Sequence, residues 1–406
     1  MAIRNDRIFY ACQAVAVAPC PYTATNNDQT GFTTLHGVQS VGINTTFNLE
    51  QAFELGQIAI YQNIEGVPEV EVTLEKVLDG YPLLYRMVTR GSNAGEATDN
   101  TLVNRTKQKC ALALGIYEDD KIGVSGNPKA ELLMSGLYIT NVSYSMPTDG
   151  NFTESITLVG DHKQWNTHLD SSKKQGGGDP LVGTFFDDVQ ASAFNINNGF
   201  SNDEPANIQN INGGQYFGGI QRRQHVVFAS SVMPSSIFGI GKTLSGTPIV
   251  GTGNNWDNTL KAPIVHIQSI NISAGIGREA IFELGRKFPY TRTVTFPLEV
   301  TTEFTVLSVS GDFVSSYENG LHQFNSTKNE GNNTPEEHIA IRLNDKTHFG
   351  LGQKNRLSSV TYGGGDAGGG NATMTYSYST FNDLTVRGPH NNALENTWAN
   401  DAPTIL

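Results

Sequence analysis

The chain repeats itself. Residues 38–61 read VQSVGINTTFNLEQAFELGQIAIY and residues 267–290 read IQSINISAGIGREAIFELGRKFPY, an ungapped offset of 229. Nine positions are identical: Gln39/Gln268, Ser40/Ser269, Ile43/Ile272, Glu50/Glu279, Phe53/Phe282, Glu54/Glu283, Leu55/Leu284, Gly56/Gly285 and Tyr61/Tyr290. Pro68 keeps the offset to Pro297, and after a slip of one residue VEVTLE at 70–75 faces LEVTTE at 298–303. Upstream, IFYACQAV at 8–15 resembles VVFASSVM at 226–233. Downstream, 138–158 and 356–378 each set two alternating runs around a turn rich in Gly and Asp, the pattern of a β-hairpin. A period this long is no solenoid or propeller, whose units recur every ~20–50 residues. The matches predict a tandem duplication of a whole domain, at 1–165 and 222–406. Between them, 166–221 reads as a Gly/Asn-rich linker or an insertion that wraps a neighbour. Its PLVGTFFDDV at 180–189 is apolar enough to dock.

Each copy is predicted to be mainly β. The run at 8–17 is apolar and β-branched, a buried strand, and 22–36 reads as an extended loop or arm. The run at 38–47 is a weakly amphipathic strand. Asn48 suits an N-cap and Gly56 a C-terminal stop, which predicts one short helical turn over LEQAFELG in each copy. Then EVEVTLEKVL at 69–78 alternates Val70, Val72 and Leu74 with Glu69, Glu71 and Glu75, an apolar face against an acidic one. In the second copy Glu299 and Glu303 play the acidic part. The runs 83–88 and 109–117 are expected to be further strands, closing or nearly closing the sheet.

Composition narrows the function. Acidic residues outnumber basic ones, 39 to 27, for a net charge of −12, and no basic block grips nucleic acid by its phosphates. Charged residues are only 16% of the chain, which fits a protein that hides much of its surface against copies of itself. Cys12, Cys20 and Cys110 form neither a disulfide framework nor a zinc pattern, and read as small buried hydrophobes in a reducing compartment. No apolar run reaches membrane length.

FGIGKT at 238–243 resembles the end of a phosphate loop, but Ser236 stands where its first Gly belongs. Glu69 and Glu71, about 7 Å apart on one strand face, invite comparison with a glycosidase pair, yet such alternation is the usual signature of a solvated strand. The histidines, among them His162, His168, His322 and His338, show no metal-ligand spacing, and there is no G-x-S-x-G elbow and no calcium loop. His36/Val265 and Cys12/Ser230 differ between the copies, so neither is a shared site. The expectation is a non-enzyme without metal or cofactor.

The segment 37–80, GVQSVGINTTFNLEQAFELGQIAIYQNIEGVPEVEVTLEKVLDG, resembles bacteriophage tail tube proteins and related virion structural proteins. The second copy shares the likeness through FELG at 282–285. The repeat-defining residues are Phe53, Glu54, Leu55, Gly56, Phe282, Glu283, Leu284 and Gly285. The resemblance implies two tandem tail-tube-like β-sandwich or barrel domains whose six-fold rings stack into a DNA-conducting channel. It implies self-association, as a trimer with pseudo-six-fold symmetry or as a hexamer. Sheath, baseplate and neck proteins are the further partners, DNA passes through without specific binding, and no membrane is involved. The chain is expected in the virion tail, assembled in the host cytoplasm. Glu69, Glu71, Glu75, Glu299 and Glu303 are the candidate lumen-facing acids, since like charge keeps DNA from sticking. The competing readings are a tube-like neck, hub or baseplate ring, a carbohydrate-binding module of a tail tip, and an esterase or glycosidase on a β-scaffold. Trp165, Trp256 and Trp398 lie outside the matched strands, which disfavours a sugar platform.

Overall fold

The computed structural model describes residues 13–20, 33–56, 60–81, 83–89, 101–117, 130–167, 219–228, 266–307, 314–317, 320–323, 336–345, 347–364 and 370–388, with a few isolated positions beside them. Most of 166–221, the PLVGTFFDDV run, Cys12, His168, Trp256, Trp398 and the FGIGKT motif lie outside the described residues.

Strands dominate. The first half holds β1 (Gln13–Pro19), β2 (Thr33–Thr34), β3 (Val38–Thr46), β4 (Leu49–Phe53), β5 (Ile60–Glu65) and β6 (Glu69–Val77). Helices α1 (Leu84–Val88) and α2 (Leu102–Arg105) follow, then β7 (Cys110–Ile116), β8 (Ala130–Pro147), β9 (Thr153–Gly160) and β10 (His162–Thr167). The second half holds β11 (Val226–Val227), β12 (His266–Gly275), β13 (Arg278–Ile281), β14 (Thr291–Val294), β15 (Glu299–Leu307), β16 (Val314–Tyr317) and β17 (Gly320–Gln323). It ends with β18 (Ala340–Leu343), β19 (His348–Gly350), β20 (Arg356–Gly363), β21 (Thr373–Phe381) and β22 (Thr385–Arg387).

Eight of these strands make one antiparallel run in the order β3-β6-β9-β8-β12-β15-β21-β20. The first four come from the first half and the last four from the second. Their wiring matches in detail. The β3–β6 ladder has a bulge between Val38 and Ser40, and the β12–β15 ladder has one between Ile267 and Ser269. The β8–β9 ladder slips between Ile139 and Asn141, and β20–β21 slips between Leu357 and Ser359. An irregularity placed identically in both halves is a feature of the strand path.

That register revises the strand match. Ile43 faces Val72, whereas Ile272, its counterpart, faces Thr302. Val70 therefore corresponds to Val300, two residues beyond the Leu298 that alternation suggested. A two-residue slip leaves every side chain on its original face, so periodicity alone cannot detect it.

Two further readings are corrected. LEQAFELG is no helical turn: it forms β4 and the start of a turn leading to β5, with Leu49 facing Glu65. Its counterpart β13–β14 pairs Arg278 with Val294. Gly56 and Gly285 sit in these turns at φ +90° and +88°, where a side chain is strained. Eight residues are too few for a stable lone helix, whereas cross-strand bonds satisfy the same backbone groups. The run 83–88, expected as a strand, is α1. Leu84, Tyr85 and Val88 point inward at helical spacing, and the buried Glu154 carboxylate accepts hydrogen bonds from the Leu84 and Tyr85 amides at 2.6 and 3.0 Å. A short apolar run does not distinguish strand from helix by itself.

One face of the long sheet is apolar and covered. In the first half Val72, Leu74, Tyr144, Ile156 and Leu158 join one core with residues of α1, β1 and β7. In the second half Ile272, Val300, Phe304 and Tyr376 join it with residues of the small sheet β11-β18-β19-β22. The core is continuous between the halves, and the Tyr144 and Phe349 rings lie 4.6 Å apart. Strand β8 serves two sheets. Its first part pairs with β7 and β10 and its last part with β9 and β12, and Gly136 at φ +69° marks the change.

Candidate functional site

The surfaces that stand out are the junction between the halves and the two free edges of the long sheet. At the junction β8 and β12 pair in antiparallel register: Tyr144 with Ile272, Ser143 with Ser273, and Val142 with Ala274. Tyr144, Ile272, Val142 and Ala274 are all buried. The Tyr144 hydroxyl donates to Glu154 at 2.9 Å, so its polar end is satisfied inside the core. Burial pushes the Glu154 carboxyl above its ordinary range, against its hydrogen bonds from Tyr85, Tyr144 and Leu84. Just beyond the ladder the Ile276 amide donates to the Thr140 carbonyl at 2.8 Å.

The β13–β14 hairpin seals this junction. Arg278 lies 4.6 Å over the Tyr138 ring and donates to the carbonyls of Ile139 at 2.8 Å and Thr106 at 2.6 Å. Desolvation lowers its pKa to about 10. Arg292 bridges two carboxylates of the first half, Glu69 at 3.2 Å and Asp161. Burial opposes the Arg292 charge, but Asp161 and Glu69 outweigh it and raise the pKa. These arginines were not singled out in the sequence. The signal for them was divergence: Leu49 and Asn63 stand at the matching places of the first copy.

Among the described residues the edges of the long sheet are β3 and β20, each paired on one side only. By the matched bulges, β20 holds the place of β8 and β3 the place of β12. Tyr144 is 1% exposed, whereas its counterpart Tyr362 is 56% exposed. Ile276 is 2% exposed, whereas its counterpart Phe47 is 68% exposed. The hairpin tips are apolar and open as well, with Phe53, Leu55, Phe282 and Leu284 all exposed. Of the repeat-defining residues, Gly56 and Gly285 make the turns while Glu54 and Glu283 stand in water beside them.

The five predicted acids share the polar side of the long sheet, opposite its buried apolar face. Glu69, Glu71 and Glu75 alternate with buried Val70, Val72 and Leu74 on β6, and Glu299 and Glu303 alternate with Val300 and Phe304 on β15. Two already have partners: Glu69 is held by Arg292, and Glu75 accepts from the Ser40 hydroxyl at 3.4 Å. Between them runs a hydroxyl-rich row, Ser40–Glu75–Ser155–Ser143–Ser273–Thr301–Ser379.

Among the described residues no group of three or more His, Cys, Asp or Glu is arranged to hold a metal ion. No helix among them is long and apolar enough to cross a membrane. Cys110 is buried and Cys20 half-buried; both are free, and burial raises the Cys110 thiol pKa.

No protein-family model matches the chain, and no curated protein matches it by sequence. Among solved structures it is similar to the anti-feeding prophage tube-terminating cap, at 15% identity and TM-score 0.27, over 41% of this chain and 99% of that one. It is also similar to a chain of the sheath–tube complex of an extracellular contractile injection system in the extended state, at 14% identity and TM-score 0.27, over 40% and 94%. A third is the sheath/tube terminator of that system, at 14% identity and TM-score 0.28, over 40% and 97%.

Proposed function

We propose that the chain is a structural, non-enzymatic ring subunit of a phage-type tail, with three chains joined head to tail and each contributing the same domain twice. The copies are 1–165 and 222–406, with 166–221 between them. The observation that carries this reading is the β8–β12 junction. One chain holds a complete junction and also exposes the two halves of another, β20 and β3. Setting β20 of one chain against β3 of the next in the same register brings Tyr362 opposite Ile43, Val360 opposite Thr45 and Thr361 opposite Asn44. Phe47 then occupies the place of the buried Ile276, and both open edges are covered.

A head-to-tail contact uses different surfaces on its two sides, so it closes into a ring or runs on as a filament. Two domain copies per chain reach six-fold pseudo-symmetry with three chains. In such a ring the apolar face stays under its covering layers, and only the hydroxyl- and glutamate-bearing face is open to a lumen. Glu69, Glu71, Glu75, Glu299 and Glu303 then line the channel. The charge of those without an arginine partner, Glu69 being paired with Arg292, repels a DNA backbone, so DNA passes without being held. Exposed apolar hairpin tips suit stacking between rings and contact with sheath, baseplate or neck proteins, in keeping with a chain that assembles in the host cytoplasm and ends in the virion tail.

The test is negative-stain microscopy of the purified protein together with its native mass. Hollow end-on rings with six lobes and a mass near three times 44.0 kDa, about 132 kDa, are expected. Six-lobed rings twice as heavy would replace the trimer by a hexamer. Monomers persisting at milligram concentrations would overturn the ring.

A further inference from the structure

We infer that the β4–β5 hairpin of each chain lies across the second half of its neighbour, and that this contact between chains lacks the arginine clamp that seals the junction within a chain. The inference rests on the ring reading and names the chemistry of its contact. Within a chain, the β13–β14 hairpin faces the first half with Arg278, Ala280, Arg292 and Val294, the cross-strand pairs of one hairpin face. The matching face of β4–β5 carries Leu49, Gln51, Asn63 and Glu65. The receiving surface has changed with it. Tyr138, Ile139, Asp161 and Glu69 of the first half correspond to Arg356, Leu357, Phe381 and Glu299 of the second.

The two faces changed in step. Where Arg292 meets Asp161 and Glu69, the contact between chains sets Asn63 beside Phe381 and Glu299. Asp161 is gone from the very place where its arginine is gone, so Glu299 is not crowded by a second unpaired carboxylate. Where Arg278 covers the Tyr138 ring and donates to the Ile139 carbonyl, Leu49 covers Leu357 and the stem of Arg356. Glu65 arrives next to the Arg356 guanidinium, which is half-exposed on its existing partner Glu336 at 3.2 Å. Leu49 and Phe381 are both exposed in the single chain, as an uncovered apolar contact requires. A ring built this way has three ionic junctions inside its chains and three mainly apolar ones between them. It closes in one order only, because neither hairpin fits the other's seat.

The test rebuilds the ionic clamp between chains. Asn63 lies in the hairpin that follows β3, Phe381 ends β21, and β3 and β21 are six strand spacings apart in the long sheet, roughly 30 Å, so the two side chains meet only across two chains. Self-association is measured by sedimentation at about 50 mM and 500 mM salt, where exposed ion pairs respond strongly. The wild type is expected to associate nearly equally at both. Phe381→Asp sets an unpaired carboxylate against Glu299 and should weaken association about tenfold. Adding Asn63→Arg should restore it at low salt and leave it salt-sensitive, while Asn63→Arg alone should give no gain of that size. If the wild type assembles but Phe381→Asp is silent, or the pair is no better than Phe381→Asp alone, the hairpin placement is wrong and the ring stands. If the wild type never assembles, the ring fails and the hairpin contact with it. Unchanged melting temperatures of the variants confirm that the fold is not what changed.

Discussion

Tyr144 and Ile272 face each other across the junction of the two halves, both almost wholly buried, although 128 residues separate them in the chain. The same two positions on the open edges are Tyr362 and Ile43. In the proposed ring the open pair meets as the buried pair does.

The register between chains can be read by cross-linking. Cross-strand neighbours have Cα atoms roughly 4.5–5.5 Å apart, within reach of a disulfide. Asn44→Cys with Thr361→Cys should give dimer and trimer bands on non-reducing gels after mild oxidation. Each single variant should stay monomeric on the same gel. An assembled ring that fails to cross-link at this pair would mean a different register.

Tyr362→Ser tests the edge separately from the fold. The side chain is exposed in one chain, so the melting temperature should move little, whereas loss of a buried aromatic contact between chains should weaken association by about 2 kcal/mol or more. Tyr144→Ser, at the buried counterpart, should instead lower the melting temperature by several degrees and orphan a hydrogen bond of Glu154.

Arg292→Met should loosen the halves. It removes two ion pairs and leaves Asp161 and Glu69 facing each other without a cation. Because the site is partly open to solvent, the expected loss is about 1–2 kcal/mol, smaller at high salt. A thermal melt at two salt concentrations measures it.

Asp345 gives stability a pH signature. Burial is the main cause that lifts its carboxyl from 3.8 to about 6, against the Thr347 amide bond of 2.9 Å. The folded state thus holds this proton more tightly than the unfolded state does. The group's contribution to stability is full below about pH 4 and is lost as the pH rises towards 6, an effect of about 3 kcal/mol. Asp345→Asn should flatten that slope and raise the melting temperature at pH 7, as calorimetry across pH 4–7 will record.

Charge reversal tests the polar face. The wild type should show no duplex DNA binding near 0.1 M salt. Glu71→Lys with Glu303→Lys should bind DNA non-specifically and release it as salt rises. Binding by the wild type at this salt would argue against a repelling lumen.

Much of the fold was legible in the chain. Alternation gave the faces of β6 and β15, and the five acids do stand opposite the buried apolar residues. The hairpins β8–β9 and β20–β21 followed from their turns. What alternation cannot carry is register, and Val70 was matched to Leu298 instead of Val300 because both choices preserve the faces. Local pattern also misjudged LEQAFELG and 83–88, since short runs take their form from what they pack against: a partner strand for Leu49, the Glu154 carboxylate for Leu84. The Arg278 and Arg292 clamp does not show in the identities between the two halves, because the junction is written in their differences.

The long β8 strand has a consequence for synthesis. Its outer half is ready to pair once β9 has formed, but β12 emerges more than 100 residues later. At ribosomal speeds of ~5–20 residues per second, that edge waits for several seconds or longer. During this interval a neighbouring nascent chain on the same message can offer its own β3 or β12. Tethering favours the correct partner, because a strand on the same polypeptide returns at a high effective concentration. In the proposed ring, joining the two halves in one chain turns half of the subunit contacts into folding steps, completed before any encounter between molecules is needed.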